Sequence, residues 1–411
     1  MAYDRLEQDI FSLGRGVEEV ITQDDLIFKL VQAQTNKKPL IVKEGVDPTA
    51  QDLHLGHTVT FRKLKHFQDL GHEVKFLIGD FTARIGDPTG RSNSRKALTE
   101  EEVLENAKTY EKQIFKILDP DKTEIVWNSS WLKPFSLEQF IDLMYRGTVN
   151  DFIKRKSMAT RLEEGDTVTA TELIYPFLQA YDSVFLNSDI EIGGMDQKFN
   201  FVFTRDLQRS FGQEPQACLI MPLLTGTDGT EKMSKSLGNH VGISDSPDEM
   251  YGKIMSIPDK IMYNWFELLT DIPIDELVSM ESARLRGELH PKDMKVRLAK
   301  EIVSQYHSLD EALDSQKEFE KIYARGEIPT TIPEVIVSNE FLFTEGVNIV
   351  DILMSAGYAK SRGDARRKIT QGGVRVDGET ISDVEFYIPA KDGQILNVGK
   401  RNFATLKYEP G

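Results

Sequence analysis

The first part of the chain alternates between short apolar runs and longer amphipathic segments. Residues 40–42 and 74–78 form apolar runs of strand length. Between them, apolar side chains recur at three-residue steps from Phe61 to Leu70, and Gly71 then provides a helix stop. A strand, a helix and a strand at this spacing predict a right-handed βαβ unit, and therefore a parallel sheet with helices on its faces.

The same pattern returns further along the chain. Residues 188–192 and 217–223 are predicted as strands on either side of a helix near 195–210. An α/β domain with a Rossmann-like parallel sheet is therefore predicted over residues 1–230. The segment at about 120–187 is mostly helical by pattern, and we expect it to be inserted between two halves of one sheet.

The following region, residues 231–325, is predicted to be a loop followed by an all-α domain. After Pro247 it contains no strand-like runs, and three segments carry apolar stripes with charged backs, namely 261–269, 275–286 and 292–306. Residues 326–346 begin with a stretch that contains Gly, two Pro and β-branched residues, which is the composition of a linker.

The last segment, residues 347–411, is predicted as a small α+β domain. A helix over 347–355 precedes a second helix opened by Ser361, whose hydroxyl forms a capping-box pattern with Asp364. Residues 374–381 then have the pattern of a hairpin closed at an Asp-Gly turn.

Length and composition exclude several classes of protein. The chain has 411 residues, a single cysteine (Cys218) and seven histidines, so neither an intrachain disulfide nor a zinc cage is expected. No run of 18 apolar residues occurs, and Met1 leads into acidic sequence rather than into a basic and then apolar leader. We therefore expect a cytoplasmic protein with no membrane partner and with no protein-bound metal or prosthetic group.

Charge is distributed unevenly along the chain. The formal net charge of −16 argues against indiscriminate binding to nucleic acid or to anionic membranes. Residues 346–411 nevertheless contain ten basic and eight acidic side chains, so this segment differs in charge from the rest.

A His-Leu-Gly-His segment lies between the first strand and the first long helix. His54 and His57 stand where open α/β sheets bind ligands, and Gly56 allows a ligand to approach the backbone closely. Two imidazoles at a helix N-terminus suit phosphate oxygens. Taken alone, the segment is more typical of a surface turn that carries two incidental histidines.

A Lys-Met-Ser-Lys-Ser loop follows the predicted sheet and is flanked by glycines. Lys232 and Lys235 are three residues apart, so both ammonium groups can converge on one polyphosphate and stabilise charge on a leaving pyrophosphate. A solvated basic loop is the alternative interpretation of this segment.

Together, in this order and roughly 180 residues apart, these two elements resemble the signatures of class I aminoacyl-tRNA synthetases. Four further segments resemble tyrosyl-tRNA synthetases in particular, namely residues 45–49, 85–90, 175–182 and 193–197. The C-terminal helices and hairpin resemble a small RNA-binding fold shared with a ribosomal small-subunit protein. The resemblance covers essentially the whole chain.

The resemblance implies a reaction in which the carboxylate of tyrosine attacks the α-phosphate of ATP, with Mg²⁺ arriving as part of the ATP substrate. It implies a catalytic set of phosphate-contacting groups, namely His54, His57, Thr49, Lys232 and Lys235. It also implies further ATP contacts at Asp47, Gly56, Gly194, Asp196, Lys235 and Arg91. Attack by a carboxylate requires alignment and charge neutralisation more than proton removal, which agrees with a set of cationic and neutral donors.

The tyrosine pocket implied by the resemblance comprises Asp87, Tyr175, Gln179, Asp182, Gln197 and, as a candidate, Asp80. Within it, Asp182 matches the carboxylate that reads the phenol hydroxyl. Tyr175, Gln179 and Asp182 are spaced to share one face of a helix, although an ordinary amphipathic helix has the same spacing.

Two positions depart from the family pattern. Lys43 stands where some tyrosyl enzymes have a tyrosine, and Asp80 stands where some have a small residue. The ammonium of Lys43 would either pair with Asp182 or Asp80, or extend from the sheet edge into solvent. Part of the expected hydroxyl recognition is therefore open at this stage.

The C-terminal domain carries a basic helix that leads into the predicted hairpin. Over the sixteen positions from 360 to 375, this segment carries six basic residues and a single acid, Asp364. The basic residues are Lys360, Arg362, Arg366, Arg367, Lys368 and Arg375. Such a surface is typical of phosphate-tracking RNA binders, although basic stretches are also common on solvated surfaces. Joined to a synthetase body, it is expected to contact tyrosine tRNA.

The sequence therefore predicts a tyrosine-activating, tRNA-charging enzyme, and the resemblance adds a homodimer with its interface near the inserted helical segment. Three alternatives remain at this stage. They are a tryptophanyl-tRNA synthetase, a small-molecule nucleotidyltransferase with the same histidine signature, and a non-catalytic RNA-binding protein that has retained a synthetase fold.

Overall fold

The structure is a computed structural model, which describes residues 2–87, 98–153, 156–325, 332–337, 342–343, 346–399 and 402–408. The chain divides into two compact units, Met1–Ala312 and Leu313–Gly411. The boundary predicted near residue 230 lies inside the first unit. None of the helices in these ranges is both long and apolar enough to span a bilayer.

The first unit is built on one six-stranded sheet. Its strands are β1 (Glu19–Ile21), β2 (Ile41–Val46), β3 (Glu73–Ile78), β4 (Thr123–Trp127), β5 (Ile190–Gly194) and β6 (Ala217–Met221). Their spatial order is β1-β6-β5-β2-β3-β4, and every neighbouring pair is parallel except β1 and β6. The predicted Rossmann-like fold class is therefore confirmed.

Helices cover both faces of this sheet and form the inserted segment. They are α1 (Ala2–Gly14), α2 (Gln23–Asn36), α3 (Leu55–Asp69), α4 (Glu100–Ile114), α5 (Ser129–Leu132), α6 (Leu137–Met144), α7 (Val149–Ile153), α8 (Lys156–Glu163), α9 (Ala170–Leu186) and α10 (Lys198–Ser210). The chain runs from β2 to β3 and β4 on one side, and later returns to β5 on the other side of β2. The carboxyl ends of β2 and β5 therefore form the switch point at which open α/β sheets bind ligands.

The sequence pattern missed the two edge strands, β1 and β4. β4 lies within the 120–187 segment that was predicted to be mostly helical, so the inserted helices begin only after Trp127. Both strands are short and only partly buried, because each pairs along one side alone. Their apolar runs are therefore too weak to be recognised.

The helical region follows β6 as the pattern predicts. Its helices are α11 (Pro247–Met255), α12 (Met262–Leu269), α13 (Ile274–Leu285) and α14 (Pro291–Tyr306), while α15 (Leu309–Arg325) continues into the second unit. Buried side chains of α12 and α14 include Trp265, Phe266, Leu298 and Ile302, which form the apolar interior of this region.

After the end of α15, the described residues of the second unit form two small sheets and two helices, as expected of an α+β domain. Its strands are β7 (Glu334–Val337), β8 (Leu342–Phe343), β9 (Gly346–Asn348), β10 (Val374–Val376), β11 (Glu379–Ile381), β12 (Tyr387–Ile388), β13 (Ile395–Val398) and β14 (Asn402–Tyr408), and its helices are α16 (Ile349–Ser355) and α17 (Arg362–Thr370). The strand orders are β11-β10-β13-β14-β7 and β12-β9-β8.

Local predictions in this unit were largely confirmed. Asp377 and Gly378 have φ values of 49° and 87°, as the tight turn between β10 and β11 requires. The hydroxyl of Ser361 accepts from the Asp364 N–H at 3.2 Å. The capping box itself was wrong, because the Asp364 carboxylate accepts from the Lys360 N–H instead of from that of Ser361.

Candidate active site

The two signature histidines begin helix α3 and hold each other in place. The Gly56 N–H donates to Nδ1 of His54, and the His54 N–H donates to Nδ1 of His57, both at 3.2 Å. The ring centroids are 3.9 Å apart. Because both Nδ1 atoms accept, each neutral ring carries its proton on Nε2, an assignment made from the hydrogen-bond pattern. Both imidazoles can therefore donate from Nε2 to an anion.

Burial keeps these two rings uncharged. Desolvation, reinforced by the nearby His57, His240 and Lys235, lowers the pKa of His54 to about 2. Desolvation also lowers the pKa of His57 to about 4, although a backbone hydrogen bond opposes it. At neutral pH the pair is therefore a set of neutral donors and not a pair of cations.

The buried side-chain amide of Asn239 holds the lysine loop in place. Asn239 donates to the carbonyl of Lys232 at 3.1 Å and accepts from the Ser234 N–H at 2.8 Å. Met233 is buried at the centre of the loop, and its N–H donates to the Leu224 carbonyl at 2.8 Å. This buried anchor leaves the side chain of Lys232 exposed and that of Lys235 partly exposed.

The structure brings the histidine segment and the lysine loop together. A Cβ placed on Gly56 would lie 3.6 Å from Cβ of Met233 and 2.9 Å from the His54 ring. Lys235 forms an ion pair of 2.9 Å with Asp52, two residues before His54. Gly56 thus stands where the histidine segment closely approaches the lysine loop, which explains the absence of a side chain there.

Asp47 follows β2 at the carboxyl edge of the sheet. Its carboxylate accepts from the Tyr175 hydroxyl at 2.9 Å and from the Thr82 hydroxyl at 2.7 Å. Burial raises the pKa of Asp47 to about 7, and the neighbouring carboxylates Asp87 and Asp182 add to this effect. Several acids therefore converge at one edge of the sheet, an arrangement typical of a functional site.

Asp182 lies deep beneath this edge, on helix α9. It is 2% exposed and accepts from Trp131 Nε1 at 2.8 Å and from Asn128 Nδ2 at 3.2 Å. Burial raises the pKa of Asp182 to about 7, whereas Lys43 lowers it. Its oxygens have lone pairs beyond those used by these two donors, so the carboxylate can accept a further hydrogen bond.

A chain of amides links α9 to the segment after β5. Gln179 donates to Gln197 Oε1 at 3.1 Å, and Gln197 donates to Asp87 Oδ2 at 2.7 Å. Asn200 donates to both Gln179 and Gln197, at 2.7 and 3.0 Å. These contacts bring together three of the residues that the resemblance assigns to the tyrosine pocket, namely Asp87, Gln179 and Gln197, while Tyr175, on the same helix as Gln179, donates to Asp47.

The remaining predicted contacts lie around the same edge. Gly194 ends β5, and a Cβ there would lie 2.7 Å from an oxygen of the exposed Asp196. The exposed Thr49 donates its N–H to the Asp47 carbonyl at 2.8 Å. Asp80 follows β3, where its carboxylate accepts from the Ser129 N–H at 3.0 Å. Arg91 lies outside the described residues.

Both interpretations of Lys43 were wrong. Its side chain is 1% exposed rather than solvated, and its ammonium pairs with Glu191 at 2.8 Å instead of with Asp182 or Asp80. The pairing arises because Lys43 and Glu191 are opposite each other in the register of β2 and β5. A partner on a distant strand is not visible in a single sequence.

The basic residues of the second unit are divided between paired and unpaired side chains. Asp364 forms ion pairs with Arg367 at 2.7 Å and with Lys368 at 3.0 Å, and the Lys368 contact is the main reason that the pKa of Asp364 falls to about 2. Arg362 pairs with Asp351 at 2.5 Å. Within the described residues, no ion pair involves the remaining three, which are exposed: Lys360, Arg366 and Arg375.

Sequence reasoning missed several side chains that shape the site. Asn128 and Trp131 hold Asp182, but they follow the unrecognised strand β4 and so had no predicted context. Thr82 and Asn200 are short polar residues in helical segments, where such residues are common. Asp52 had a signal, because an acid two residues before the histidines lies within reach of a basic loop.

The fold and the edge of the sheet agree with one class of enzyme, the class I tRNA synthetases. A family model described as "tRNA synthetases class I (W and Y)" matches residues 35–324. A second, described as "Tyrosine--tRNA ligase SYY-like C-terminal domain", matches residues 330–405.

Two relatives define the family more closely. The tyrosine–tRNA ligase of Carboxydothermus hydrogenoformans is 49% identical over 100% of both chains. That of Moorella thermoacetica is 46% identical over 98% of this chain and 97% of its own. The chain belongs to the tyrosine–tRNA ligase family.

Solved structures show the same fold. A C-terminally truncated mitochondrial tyrosyl-tRNA synthetase from Aspergillus nidulans covers 77% of this chain and 94% of its own, with a TM-score of 0.66 and 22% identity. The tyrosyl-tRNA synthetase from Archaeoglobus fulgidus, solved with L-tyrosine, covers 75% of this chain and 99% of its own, with a TM-score of 0.59 and 24% identity.

Proposed function

We propose that this chain activates L-tyrosine with ATP, releasing pyrophosphate, and then transfers the tyrosyl group to the 3′-terminal adenosine of tyrosine tRNA. The observation that carries the proposal is the meeting of the neutral imidazole pair and the lysine loop beside a polar pocket on α9. Family membership supports it, because members of this family are ATP-dependent tyrosine–tRNA ligases.

For the first step, His54 and His57 would donate from Nε2 to the phosphates as the tyrosine carboxylate attacks the α-phosphorus. Lys232 and Lys235 would stabilise charge that develops on the pyrophosphate, and Mg²⁺ would arrive with ATP. To do so, Lys235 must break its ion pair with Asp52. This pair is partly exposed to solvent, so breaking it costs little free energy. No proton has to be removed from the nucleophile, which agrees with a pair of neutral rings.

For recognition of tyrosine, Asp182 would accept from the phenol hydroxyl. The carboxylate of Asp87, the hydroxyl oxygen of Tyr175 and the amide oxygens of Gln179 and Gln197 would hold the substrate ammonium. A buried acceptor left unpaired by phenylalanine disfavours that substrate, a rule for which tyrosyl-tRNA synthetases are themselves a standard example. The contact made by Asp80 with Ser129 supports a structural role, and a direct role in binding tyrosine remains a proposal.

For ATP, we propose that Asp196 and Gly194 hold the ribose, and that Asp47, Thr49 and Gly56 line the phosphate path. The closeness of Gly194 and Asp196 supports this, because a side chain on Gly194 would collide with the acid. Arg91 remains a proposed contact on the basis of the family resemblance alone.

For tRNA, we propose that the exposed cations of α17 and β10 track the phosphate backbone. The linker predicted at 326–346 contains β7 and β8, which pair with β14 and β9, so the proposed C-terminal domain begins at β7 rather than at residue 347. The other proposed domains are the catalytic domain over 1–230 and the helical domain over 231–325. Their common purpose would be to place the acceptor end of the tRNA at the adenylate.

We also propose a homodimer in the cytoplasm, with its interface in the inserted helical segment. That segment carries exposed large apolar side chains that a monomer would leave in water, namely Leu137, Ile141, Tyr145, Val149 and Ile153. Analytical ultracentrifugation of the wild type and of an Ile141→Asp variant tests this. The wild type should sediment as a dimer and the variant as a monomer, and a wild type that is monomeric at micromolar concentration would rule it out.

The experiment that tests the function is a screen of the twenty amino acids for stimulation of radiolabelled pyrophosphate exchange into ATP. Tyrosine alone should stimulate exchange. A response to tryptophan would favour the tryptophanyl alternative, and no response to any amino acid would favour a nucleotidyltransferase or a non-catalytic RNA-binding protein. A Lys235→Ala variant should lose adenylate formation, and undiminished activity would exclude a role for the loop.

A further inference from the structure

A charged pair is buried beneath the proposed tyrosine pocket. Lys43 on β2 and Glu191 on β5 are 1% and 2% exposed in their side chains, and their charged atoms are 2.8 Å apart. The Lys43 ammonium also donates to the Ser183 hydroxyl at 2.6 Å, and that hydroxyl donates to Glu191 at 3.2 Å. The ammonium is thus fixed between two neighbouring strands and helix α9.

Stability alone does not account for this pair. Burying two charges costs several kcal/mol per ion before their attraction is counted, and well-packed apolar residues of similar volume are often at least as stable. An ion pair in the centre of a parallel sheet, where strands are usually apolar throughout, therefore needs another explanation.

The explanation lies in what the ammonium faces. Ser183, which accepts from Lys43, directly follows Asp182 on α9, and the charge of Lys43 favours the ionised form of the carboxyl that we assign to the phenol hydroxyl. The hydrogen bonds to Asp182 come from the neutral donors Trp131 and Asn128. A neutral donor stabilises a carboxylate less than a neighbouring cation does in a buried site.

The charged and titratable groups around Asp182 come from three elements. Lys43 on β2 favours its ionised form, whereas Glu191 on β5 opposes ionisation. Asp182 in turn raises the pKa of Asp47 at the end of β2 and of Tyr175 on α9, so these two groups also face it. Lys43 therefore supplies positive charge near Asp182, whereas Glu191, Asp47 and the phenol of Tyr175 do not.

We infer that Lys43 is a positioning residue for tyrosine recognition, whose buried charge keeps Asp182 ionised so that it can accept a hydrogen bond from the substrate phenol. This rests on the proposed function, in which Asp182 reads that hydroxyl. Lys43 touches no substrate atom in this account, and acts through Asp182 alone.

The test is the pH profile of kcat/KM for tyrosine in pyrophosphate exchange, measured on the full-length wild type and on Lys43→Met. Burial places the pKa of Asp182 at about 7, so that half of it is ionised at pH 7. Removing one nearby charge typically shifts a pKa by about one unit, which leaves about a tenth ionised. The acid limb should therefore move up by about one pH unit. The value at pH 7 should fall about fivefold, with recovery by pH 9.

Phenylalanine separates this role from a general defect. Its kcat/KM does not depend on a phenol hydroxyl, so Lys43→Met should leave it within about twofold at pH 7 and the ratio of tyrosine to phenylalanine should fall about fivefold. Equal losses for both amino acids, without a shift of the acid limb, would overturn the inference.

Two further variants keep the test decisive. Lys43→Met/Glu191→Met removes both buried charges, should fold because no charge is left unpaired, and should also show the raised limb. Lys29→Met removes another buried lysine of the same unit, whose ammonium lies 3.2 Å from the Asp189 carboxylate. This pair lies away from the pocket, so the acid limb of the pH profile should stay unchanged. A folded double variant with the wild-type limb, or a shifted limb in Lys29→Met, would contradict the inference. If wild-type exchange does not respond to tyrosine, the proposed function fails instead.

Discussion

The neutrality of the histidine pair can be tested by lowering the pH. An ordinary histidine with a pKa of about 6.5 is about nine-tenths protonated at pH 5.5. Burial lowers the pKa of His57 to about 4 and that of His54 to about 2. At pH 5.5 only about 3% of His57 should carry a proton on both nitrogens, and even less of His54.

The same difference affects stability. An unfolded histidine takes up a proton below pH 6.5, whereas folded His57 does so only near pH 4, so the folded state should lose stability as the pH falls through this window. For His57 the loss amounts to about 2 kcal/mol at pH 5 relative to pH 8. Above pH 6.5 neither state is protonated, and the contribution vanishes.

The assay is NMR of uniformly ¹⁵N-labelled protein, in which the ring nitrogens of the seven histidines are followed from pH 8 to pH 5. His54→Asn and His57→Asn variants assign the two signals. Both rings should keep a protonated Nε2 and an unprotonated Nδ1 throughout.

The reasoning would be refuted if the signals of His54 and His57 titrated with midpoints between pH 6 and 7. It would also be refuted by a protonated Nδ1, since that nitrogen accepts the N–H of Gly56 in His54 and the N–H of His54 in His57. In either case the pair would act as cations, and the account of a neutral donor set would be wrong.

Three other predictions concern the approach to the phosphates and the tRNA. Gly56→Ala places a Cβ 2.9 Å from the His54 ring and should displace that ring. The kcat for exchange should therefore fall at least about tenfold, while KM for tyrosine changes less than twofold. An unchanged kcat would exclude a close approach of the ATP phosphates to Gly56 and His54. Asp52→Asn releases Lys235 from a partly exposed ion pair worth at most about 1 kcal/mol, so KM for ATP should fall by up to about fivefold in steady-state exchange. A rise in KM would show that the Asp52–Lys235 pair does not compete with ATP for Lys235. Arg366→Ala should lower the salt dependence of tRNA binding by about one unit of slope in filter binding, and an unchanged slope would show that Arg366 contacts no phosphate.

Sequence reasoning succeeded where local chemistry determines the structure. The Asp377-Gly378 turn, the start of α17 at Ser361 and the helix after His54 depend on residues a few positions apart, and each formed as predicted. The parallel core strands β2, β3, β5 and β6 were also recognisable, because each carries buried apolar side chains, as expected of strands covered on both faces.

It failed where a residue's partner lies far along the chain. Lys43 and Glu191 are 148 positions apart in the sequence, and only the register of β2 and β5 places them opposite each other. Trp131 reaches Asp182 because β4 joins the sheet edge, and that strand's pattern is too short to recognise. Buried polar contacts of this kind depend on tertiary structure, and the hydrophobic periodicity of the sequence does not predict them.

The central claim is that the imidazole pair and the lysine loop act on one triphosphate beside the tyrosine pocket. A crystal structure of the chain with tyrosine and a non-hydrolysable ATP analogue measures this directly. We expect Nε2 of His54 and His57, and Nζ of Lys232 and Lys235, to lie within hydrogen-bond distance of phosphate oxygens, with the phenol hydroxyl bound to Asp182. A triphosphate bound away from these four side chains would contradict it.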